Sequence, residues 1–234
     1  MRRFHQLSGR LLRPCAISRP PCYSRFTSTI ADPTLPIPPT PANQEHHDLP
    51  SFLSYADRTS LSPSSTTYVG THYEYTVLQS LRRFRLSLTR IGGRSDAGID
   101  LLGTWHLPSL PHPLRVIVQC KALKTKLGPS LVRELEGAFI GAPYGWRGEG
   151  ILGLLVSPRE ATKGVRDALV KSRQPLVWVM AGLDGRVQQV LWNKRAGDVG
   201  LEGLGVDVVY GGDASQKDLA LSWEGEQLKG LDDD

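Results

Sequence analysis

The sequence has few cysteines: only three occur in 234 residues, and Cys15 and Cys22 both fall within the first 31. Cys120 is the one cysteine that remains, so residues 32–234 hold neither an internal disulfide nor a cysteine-based zinc site. Low cysteine content agrees with a reducing compartment. The sequence also lacks an apolar run long enough for a membrane span or for the apolar region of a secretory signal.

Acidic residues are missing from the N-terminus. Residues 1–31 contain six arginines and no Asp or Glu, whereas the rest of the chain has 22 basic and 23 acidic residues. An Arg- and Ser-rich segment without acids is typical of a mitochondrial presequence, so we expect import into the matrix. The alternative is a disordered basic arm that binds nucleic acid or an acidic partner. The first acid is Asp32, and this abrupt end of the acid-free stretch favours the presequence.

Composition divides the remainder of the chain into three parts. Residues 32–65 are rich in Pro, Ser and Thr, and such a segment buries too little apolar surface to order itself, so we predict a disordered linker. Residues 66–192 show periodic apolar patterns and are predicted to form the folded core. Residues 193–234 are predicted to be an acidic C-terminal extension, in which 204–210 adds one strand.

The apolar periodicity of the core predicts alternating helices and strands. Tyr73, Val77, Leu81 and Phe84 recur at helical spacing and mark a first helix. The other predicted elements are strands at 86–89, 98–105 and 116–121, a helix at 129–140, a strand at 151–156, a helix marked by Ala161, Val165 and Leu169, and strands at 176–181 and 187–192. This order predicts an α/β fold in which a mixed central sheet is flanked by helices.

Polar side chains in two of these strands form a candidate site. Asp100 lies in an apolar run, where a carboxylate is costly unless it is paired or bound to a metal. In the next strand Gln119 and Lys121 share one face, and Val118 and Cys120 share the other. An acid, an amide and a lysine at the ends of adjacent strands indicate a divalent-metal site that cleaves phosphodiesters.

The chemistry assigns a role to each of these groups. Mg²⁺ prefers oxygen ligands and keeps several waters, so Asp100 is the leading ligand, and the side-chain oxygen or nearby backbone of Gln119 assists it. Lys121 can orient the attacking water or stabilise developing negative charge. Glu74, brought in by the first helix, could hold a metal-bound water or a second metal. Taken singly, Glu74 is more often a solvated helix residue and Lys121 a strand-end lysine.

Three segments together resemble the PD-(D/E)XK nuclease superfamily and, within it, the type IV restriction endonuclease (Mrr-like) branch. They are residues 68–74, 92–100 and 119–121. The resemblance implies a restriction-endonuclease-like fold, Mg²⁺ or Mn²⁺ as cofactor and DNA as substrate. It implies that Glu74, Asp100, Gln119 and Lys121 form the catalytic set, with the first three at the metal. Gln119 stands where the superfamily most often has Glu, which removes one negative charge from the site.

The whole chain, with its presequence and linker, also resembles the fungal mitochondrial family named "required for respiratory growth", member seven. This resemblance implies a part in maintaining the mitochondrial genome. Nucleases that cut both strands commonly dimerise, so a homodimer is a further expectation, although the sequence shows no interface pattern. Two other hypotheses remain open: a non-catalytic DNA-binding protein of the same fold, and a scaffold within a mitochondrial assembly.

Charge along the core favours a polyanionic partner. Residues 66–175 hold 16 basic and 8 acidic side chains, whereas residues 176–234 hold 5 and 11. A basic surface attracts phosphates and releases counterions on binding, although each basic residue alone could simply face solvent. The candidate DNA contacts are Arg82, Arg83, Arg94, Lys124, Lys126 and Lys163.

Overall fold

The computed structural model describes residues 36, 38, 39, 45–92, 97–123, 125, 127–210 and 217–231. The predicted presequence, residues 1–31, lies outside the described residues. So do three of the candidate DNA contacts, Arg94, Lys124 and Lys126.

A six-stranded mixed sheet forms the centre of the described core. Its strands lie in chain order: β1 (Leu86–Arg90), β2 (Leu101–Trp105), β3 (Leu114–Cys120), β4 (Ile151–Ser157), β5 (Leu176–Ala181) and β6 (Val187–Trp192). The pairs β1·β2, β2·β3 and β5·β6 are antiparallel, while β3·β4 and β4·β5 are parallel. The predicted mixed sheet flanked by helices is confirmed, and most of its strands lie within two residues of the prediction.

The helices cover both faces of this sheet. The connections between parallel strands are α3 (Ser130–Gly141) and α4 (Lys163–Lys171), and their apolar side chains pack with Ile117, Leu155 and Trp178. On the other face, α2 (Thr66–Arg82) packs its stripe against side chains such as Val116 and Val118. Val116, Ile117 and Val118 are all fully buried, as the continuous apolar run predicts. Each such side chain contributes about 1.5–3 kcal/mol to folding.

The C-terminal residues form a second sheet instead of a plain extension. A short helix, α5 (Lys194–Ala196), runs into a π-helical turn and then into β7 (Leu204–Tyr210), β8 (Lys217–Trp223) and β9 (Glu226–Gln227). These three strands are antiparallel in the order β7-β8-β9. Their apolar side chains join the α2 face of the core through Leu219, Leu221 and Trp223. The strand predicted at 204–210 is confirmed, and it belongs to this second sheet.

The prediction of a disordered linker is wrong for residues 49–58, which form helix α1 (Leu49–Arg58). Asp48 caps its first turn by accepting from the Ser51 backbone N–H, at 2.8 Å. Phe52 is buried by this helix against Tyr68 and Tyr75 of α2. The apolar side chains that stabilise α1 therefore come from a distant part of the sequence, which a local composition argument does not register.

Among the described residues, no helix has both the length and the apolar character needed to cross a bilayer.

Candidate functional site

Asp100 lies immediately before β2, and hydrogen bonds join it to the strands on both sides. Its carboxylate Oδ2 accepts the backbone N–H of Cys120, the last residue of β3, at 2.6 Å. Its backbone N–H donates to Val118 O at 2.9 Å, and its carbonyl accepts from Ile91 and Gly92, both at 2.9 Å. The predicted metal aspartate is therefore held directly beside the segment that carries Gln119 and Lys121.

Gln119 is buried at the end of β3, with only 1% of its surface exposed. Its Nε2 donates to Glu134 Oε1 at 3.1 Å. Its Oε1 is buried and accepts no hydrogen bond from any residue that the structure describes. Since burying an unsatisfied polar oxygen destabilises a fold, such an oxygen in a native site calls for a ligand, a water or an ion.

Lys121 lies on the same side of the sheet as Gln119, as strand alternation predicts. Its Nζ donates to the same atom, Glu134 Oε1, at 2.7 Å. The Lys121 side chain is 24% exposed and that of Glu134 is 47% exposed, so the pair lies at the edge of solvent. Val118 and Cys120 face the α2 side, which confirms the predicted division of faces.

Glu134 is a site residue that the sequence did not reveal. It lies on α3, beside the buried Leu135, on the helix that follows β3. The sequence offers one signal for this role: Glu134 is an acid on the helix that follows β3. That signal is weak, because exposed helix acids are common and the pairing depends on how α3 crosses the sheet.

Glu74 projects from α2 and pairs with Arg90 of β1, whose Nε lies 2.5 Å from Glu74 Oε2. Both side chains are largely buried, at 13% and 12% exposure. A Cβ added to Gly92 would lie 3.3 Å from Glu74 Oε2 and 3.4 Å from the Cα of Asp100. Glycine at position 92 thus allows the Glu74 carboxylate to approach the backbone of Asp100.

The pKa of the Cys120 thiol reflects the charged groups that surround it. Burial raises the pKa of its thiol, and the nearby carboxylates of Asp100 and Glu74 raise it further, whereas Arg90 and Lys121 oppose them. Charged groups from α2, from β1 and from the residues next to β2 and β3 therefore lie close enough to act on one side chain. The thiol is therefore predominantly neutral at physiological pH.

The structure thus gathers Asp100, Gln119 and Lys121 at the end of β3, with Glu74 beside the Asp100 backbone. Within the described ranges, no group of three or more His, Cys, Asp or Glu side chains is arranged to hold a metal ion. The side-chain oxygens at this site belong to the carboxylates of Asp100 and Glu74 and to the amide of Gln119. His72 stacks on Tyr68 with 5.8 Å between ring centroids.

Three of the candidate DNA contacts are described. Arg83 forms a two-bond ion pair with Asp218 of β8, with distances of 2.6 and 2.7 Å, so much of its charge is balanced within the protein. Arg82 is exposed at the end of α2. Lys163 is exposed at the start of α4 and pairs with Asp167 one turn later, at 2.9 Å. Of these, Arg82 and Lys163 remain the more accessible cations.

A basic cleft of about 680 Å³ surrounds Lys163. It is lined by residues 158–163, Arg166 and Met180, which follow β4 and end β5. Since β3, β4 and β5 are parallel, their carboxyl ends lie at one edge of the sheet, and Lys121 N donates to Val156 O at 2.8 Å. The cleft therefore lies at the same sheet edge as Lys121.

Comparison with known proteins gives a consistent family match. The family model described as Required for respiratory growth protein 7 matches residues 65–112 and 108–210. No solved structure is significantly similar to the chain.

Individual relatives are mitochondrial proteins of fungi. An uncharacterized mitochondrial protein of Schizosaccharomyces pombe is 34% identical over 155 residues, which cover 64% of this chain and 61% of that protein. Required for respiratory growth protein 7, mitochondrial, of Saccharomyces cerevisiae is 26% identical over 172 residues, covering 56% of this chain and 71% of the relative. The protein of the same name in Eremothecium gossypii is 30% identical over 159 residues, covering 51% and 66%.

Proposed function

The chain belongs to the Required for respiratory growth protein 7 family, and from this premise we propose that it is a metal-dependent DNA phosphodiesterase of the mitochondrial matrix. The names of its relatives support the location and the link with respiratory growth. The acid-free, Arg-rich residues 1–31 support import. Cleavage of DNA during maintenance of the mitochondrial genome would connect the site chemistry with that growth requirement.

The arrangement of the sheet supports membership of the PD-(D/E)XK superfamily. An antiparallel β1–β3 meander is followed by two parallel strands with helical crossovers, and the polar residues lie at the start of β2 and at the end of β3. Asp100 at the start of β2 meets the end of β3, where Gln119 and Lys121 lie. If the segments 68–74, 92–100 and 119–121 form one site, Asp100 must lie next to Gln119 and Lys121 in this way.

The buried Oε1 of Gln119 is the observation that carries the proposal, because an amide oxygen that receives no hydrogen bond from the described residues suits a hard cation. Asp100 and Gln119 would hold Mg²⁺ or Mn²⁺, with Glu74 beside them. One or two carboxylates suffice for Mg²⁺, which keeps several waters. The bound ion would supply charge neutralisation at the phosphate and a more acidic water.

The protein's own side chains prepare the rest of the site. The Cys120 N–H fixes the direction of the Asp100 carboxylate. The ammonium group of Lys121 is partly exposed, and it can orient a water or stabilise charge that develops on the phosphate oxygens. Arg90 balances the charge of Glu74 within the protein. Cys120 packs against the apolar cluster on the α2 face, which supports the end of β3.

Contact with DNA is proposed along the basic cleft at the same sheet edge. Arg159, Lys163 and Arg166 lie along it and are suited to phosphates. Phosphate contacts position a duplex without reading its sequence, so we propose binding of the backbone. Cutting of both strands would require two copies of the chain, and we therefore propose a homodimer as the active form on duplex DNA.

Nicking of a supercoiled plasmid by the purified full chain tests this function. Cleavage should require Mg²⁺ or Mn²⁺ and should be lost in Lys121→Ala. Lys171→Ala, which changes an exposed lysine at the far end of α4, is the matched control and should cleave normally. Equal nicking by Lys121→Ala and the wild type would show that this site does not catalyse cleavage.

A non-catalytic DNA-binding protein is the second candidate. It is favoured by the internal pairing of the charged groups, since Lys121 bonds Glu134 and Glu74 bonds Arg90, and by the amide at position 119 in place of an acid. This candidate predicts salt-dependent DNA binding that does not respond to Mg²⁺, together with an intact plasmid at every metal concentration.

A further inference from the structure

Glu134 connects two residues of the site through one oxygen atom. Its Oε1 accepts from Gln119 Nε2 at 3.1 Å and from Lys121 Nζ at 2.7 Å. Gln119 lies in β3 and Lys121 directly follows the strand, two residues later, so they project to the same side and meet α3 together. Neither the family match nor the sequence motifs assign a part to this glutamate.

This contact determines which way the Gln119 amide points. If the amide were turned over, its oxygen would face the carboxylate of Glu134, and two acceptors would repel each other. A Cβ on Gly98 would lie 2.8 Å from Gln119 Nε2, so space on that side of the amide is restricted too. The NH₂ group therefore points to Glu134, and the oxygen lies on the other side of the amide, where no described residue donates a hydrogen bond to it.

We infer that Glu134 is the positioning residue of the site: it orients the Gln119 oxygen for a divalent cation and holds the Lys121 ammonium group beside it. The inference depends on the proposed function for its cation. Glu134 does not bind the ion in this account; it acts through Gln119 and Lys121. Outer hydrogen-bond partners of this kind commonly change metal affinity by about 10–100-fold when they are removed.

The test uses the full 234-residue chain and four proteins: the wild type, Glu134→Ala, Glu134→Gln and the control Glu136→Gln. Glu136 lies on the same helix and accepts from Ser172 Oγ at 2.5 Å, away from Gln119. The first readout is the side-chain NH₂ signal of Gln119 in ¹⁵N NMR spectra of the metal-free protein. The second is Mn²⁺ affinity from titration calorimetry, and the third is the melting temperature.

Glu134→Ala should shift the Gln119 NH₂ signal toward that of a free amide and weaken Mn²⁺ binding by about tenfold or more. Glu134→Gln keeps an oxygen acceptor and should restore much of the NH₂ signal and of the Mn²⁺ affinity, while Glu136→Gln should change neither. These effects should appear even when the melting temperatures of Glu134→Ala and Glu136→Gln agree, which a merely structural role does not predict.

Failure of this inference and failure of the proposed function give different results. If Glu134→Ala leaves both the Gln119 signal and the Mn²⁺ affinity unchanged, Glu134 positions nothing and the inference is wrong. If the wild type binds no Mn²⁺, the cation part of the proposal and of the inference fails together, while the NMR signal still reports whether Glu134 orients the amide. If Glu134→Ala does not fold, Glu134→Gln and its Mn²⁺ affinity decide the matter.

Discussion

The backbone N–H of Cys120 donates to the carboxylate of Asp100 at 2.6 Å, which ties the start of β2 to the end of β3. The two residues are 20 positions apart in the sequence, and the bond fixes the Asp100 carboxylate between β2 and β3. It places the candidate ligand beside Gln119 and Lys121 before any substrate binds. Such preorganised geometry is what electrostatic catalysis requires.

Asp100→Asn should separate the structural from the chemical role of this residue. The asparagine oxygen can still accept the Cys120 N–H, so the free energy of unfolding should change by no more than about 1 kcal/mol. The charge that attracts the cation is lost, and nicking should fall by at least about 100-fold, because a bound metal supplies several kcal/mol of charge stabilisation. Urea unfolding and plasmid nicking measure the two effects.

The control for this substitution is Asp184→Asn, which changes an exposed turn residue and should alter neither quantity. An Asp100→Asn protein that nicks DNA at the wild-type rate would contradict the assigned role.

Gly98→Ala should displace the buried amide of Gln119. Position 98 has φ of +77°, which is strained for alanine, and the added Cβ would also lie 2.8 Å from Gln119 Nε2. The left-handed backbone alone costs about 1–2 kcal/mol. Gly148→Ala is a matched control, since its φ is +93° and no atom lies within 4 Å of the added Cβ.

Chemical denaturation should therefore show a larger loss of stability for Gly98→Ala than for Gly148→Ala, and Mn²⁺ affinity should fall in the first protein only. Equal losses in both would mean that the contact with Gln119 contributes nothing beyond backbone strain.

Part of the core was predictable because β4 and β5 are apolar runs bounded by glycine or proline. The strands at 176–181 and 187–192 have the predicted bounds, and Gly185 takes φ of +82° in the turn between them. The shared face of Gln119 and Lys121 followed from the two-residue period of a strand alone. These features depend only on local sequence.

Features that depend on long-range contacts were not predictable. Asp48 is a capping signal for helix α1 that the sequence does show. The burial of the helix, however, depends on contacts with Tyr75 of α2. The Tyr75 hydroxyl also lies 2.8 Å from the Nδ1 of the buried His46. The two contacts of Glu134 likewise depend on the path of α3 over the sheet. Sequence spacing specifies which side chains share a face, whereas the partner that a face meets is decided by tertiary packing.

Lys163→Gln should weaken DNA binding and lower its salt dependence. Loss of one phosphate contact reduces the slope of log K against log salt concentration by about 1. Lys171→Gln is the control, because it removes an exposed lysine from the opposite end of the same helix, away from the sheet edge that carries Lys121. Fluorescence anisotropy over a range of salt concentrations measures both slopes. Equal changes in the two variants would show that DNA does not bind along this cleft.

Asp218→Asn should destabilise the protein at neutral pH and have little effect in acid. The hydrogen bond from Arg83 is the main reason that the pKa of Asp218 is below its ordinary value. The unfolded chain then takes up the proton first, so the contribution of the pair is full above pH of about 4 and is lost as pH falls through the lowered pKa. Both side chains are 39% exposed, so we expect only about 0.5–1 kcal/mol at pH 7.

Urea midpoints of the wild type and Asp218→Asn should therefore differ at pH 7 and converge near the lowered pKa. Asp207→Asn, an exposed change on the neighbouring β7, should show no difference at either pH. A gap between wild type and Asp218→Asn that widens in acid would mean that the ion pair with Arg83 is not its source.

A crystal of the full chain soaked in Mn²⁺ tests the account most directly. Anomalous diffraction should place one Mn²⁺ ion at coordination distance from both the Asp100 carboxylate and the Oε1 of Gln119, with the Lys121 ammonium group still bonded to Glu134. An Asp100 and Gln119 that remain without Mn²⁺ in a crystal that binds the ion elsewhere, or a Gln119 oxygen satisfied by a protein donor, would contradict the account.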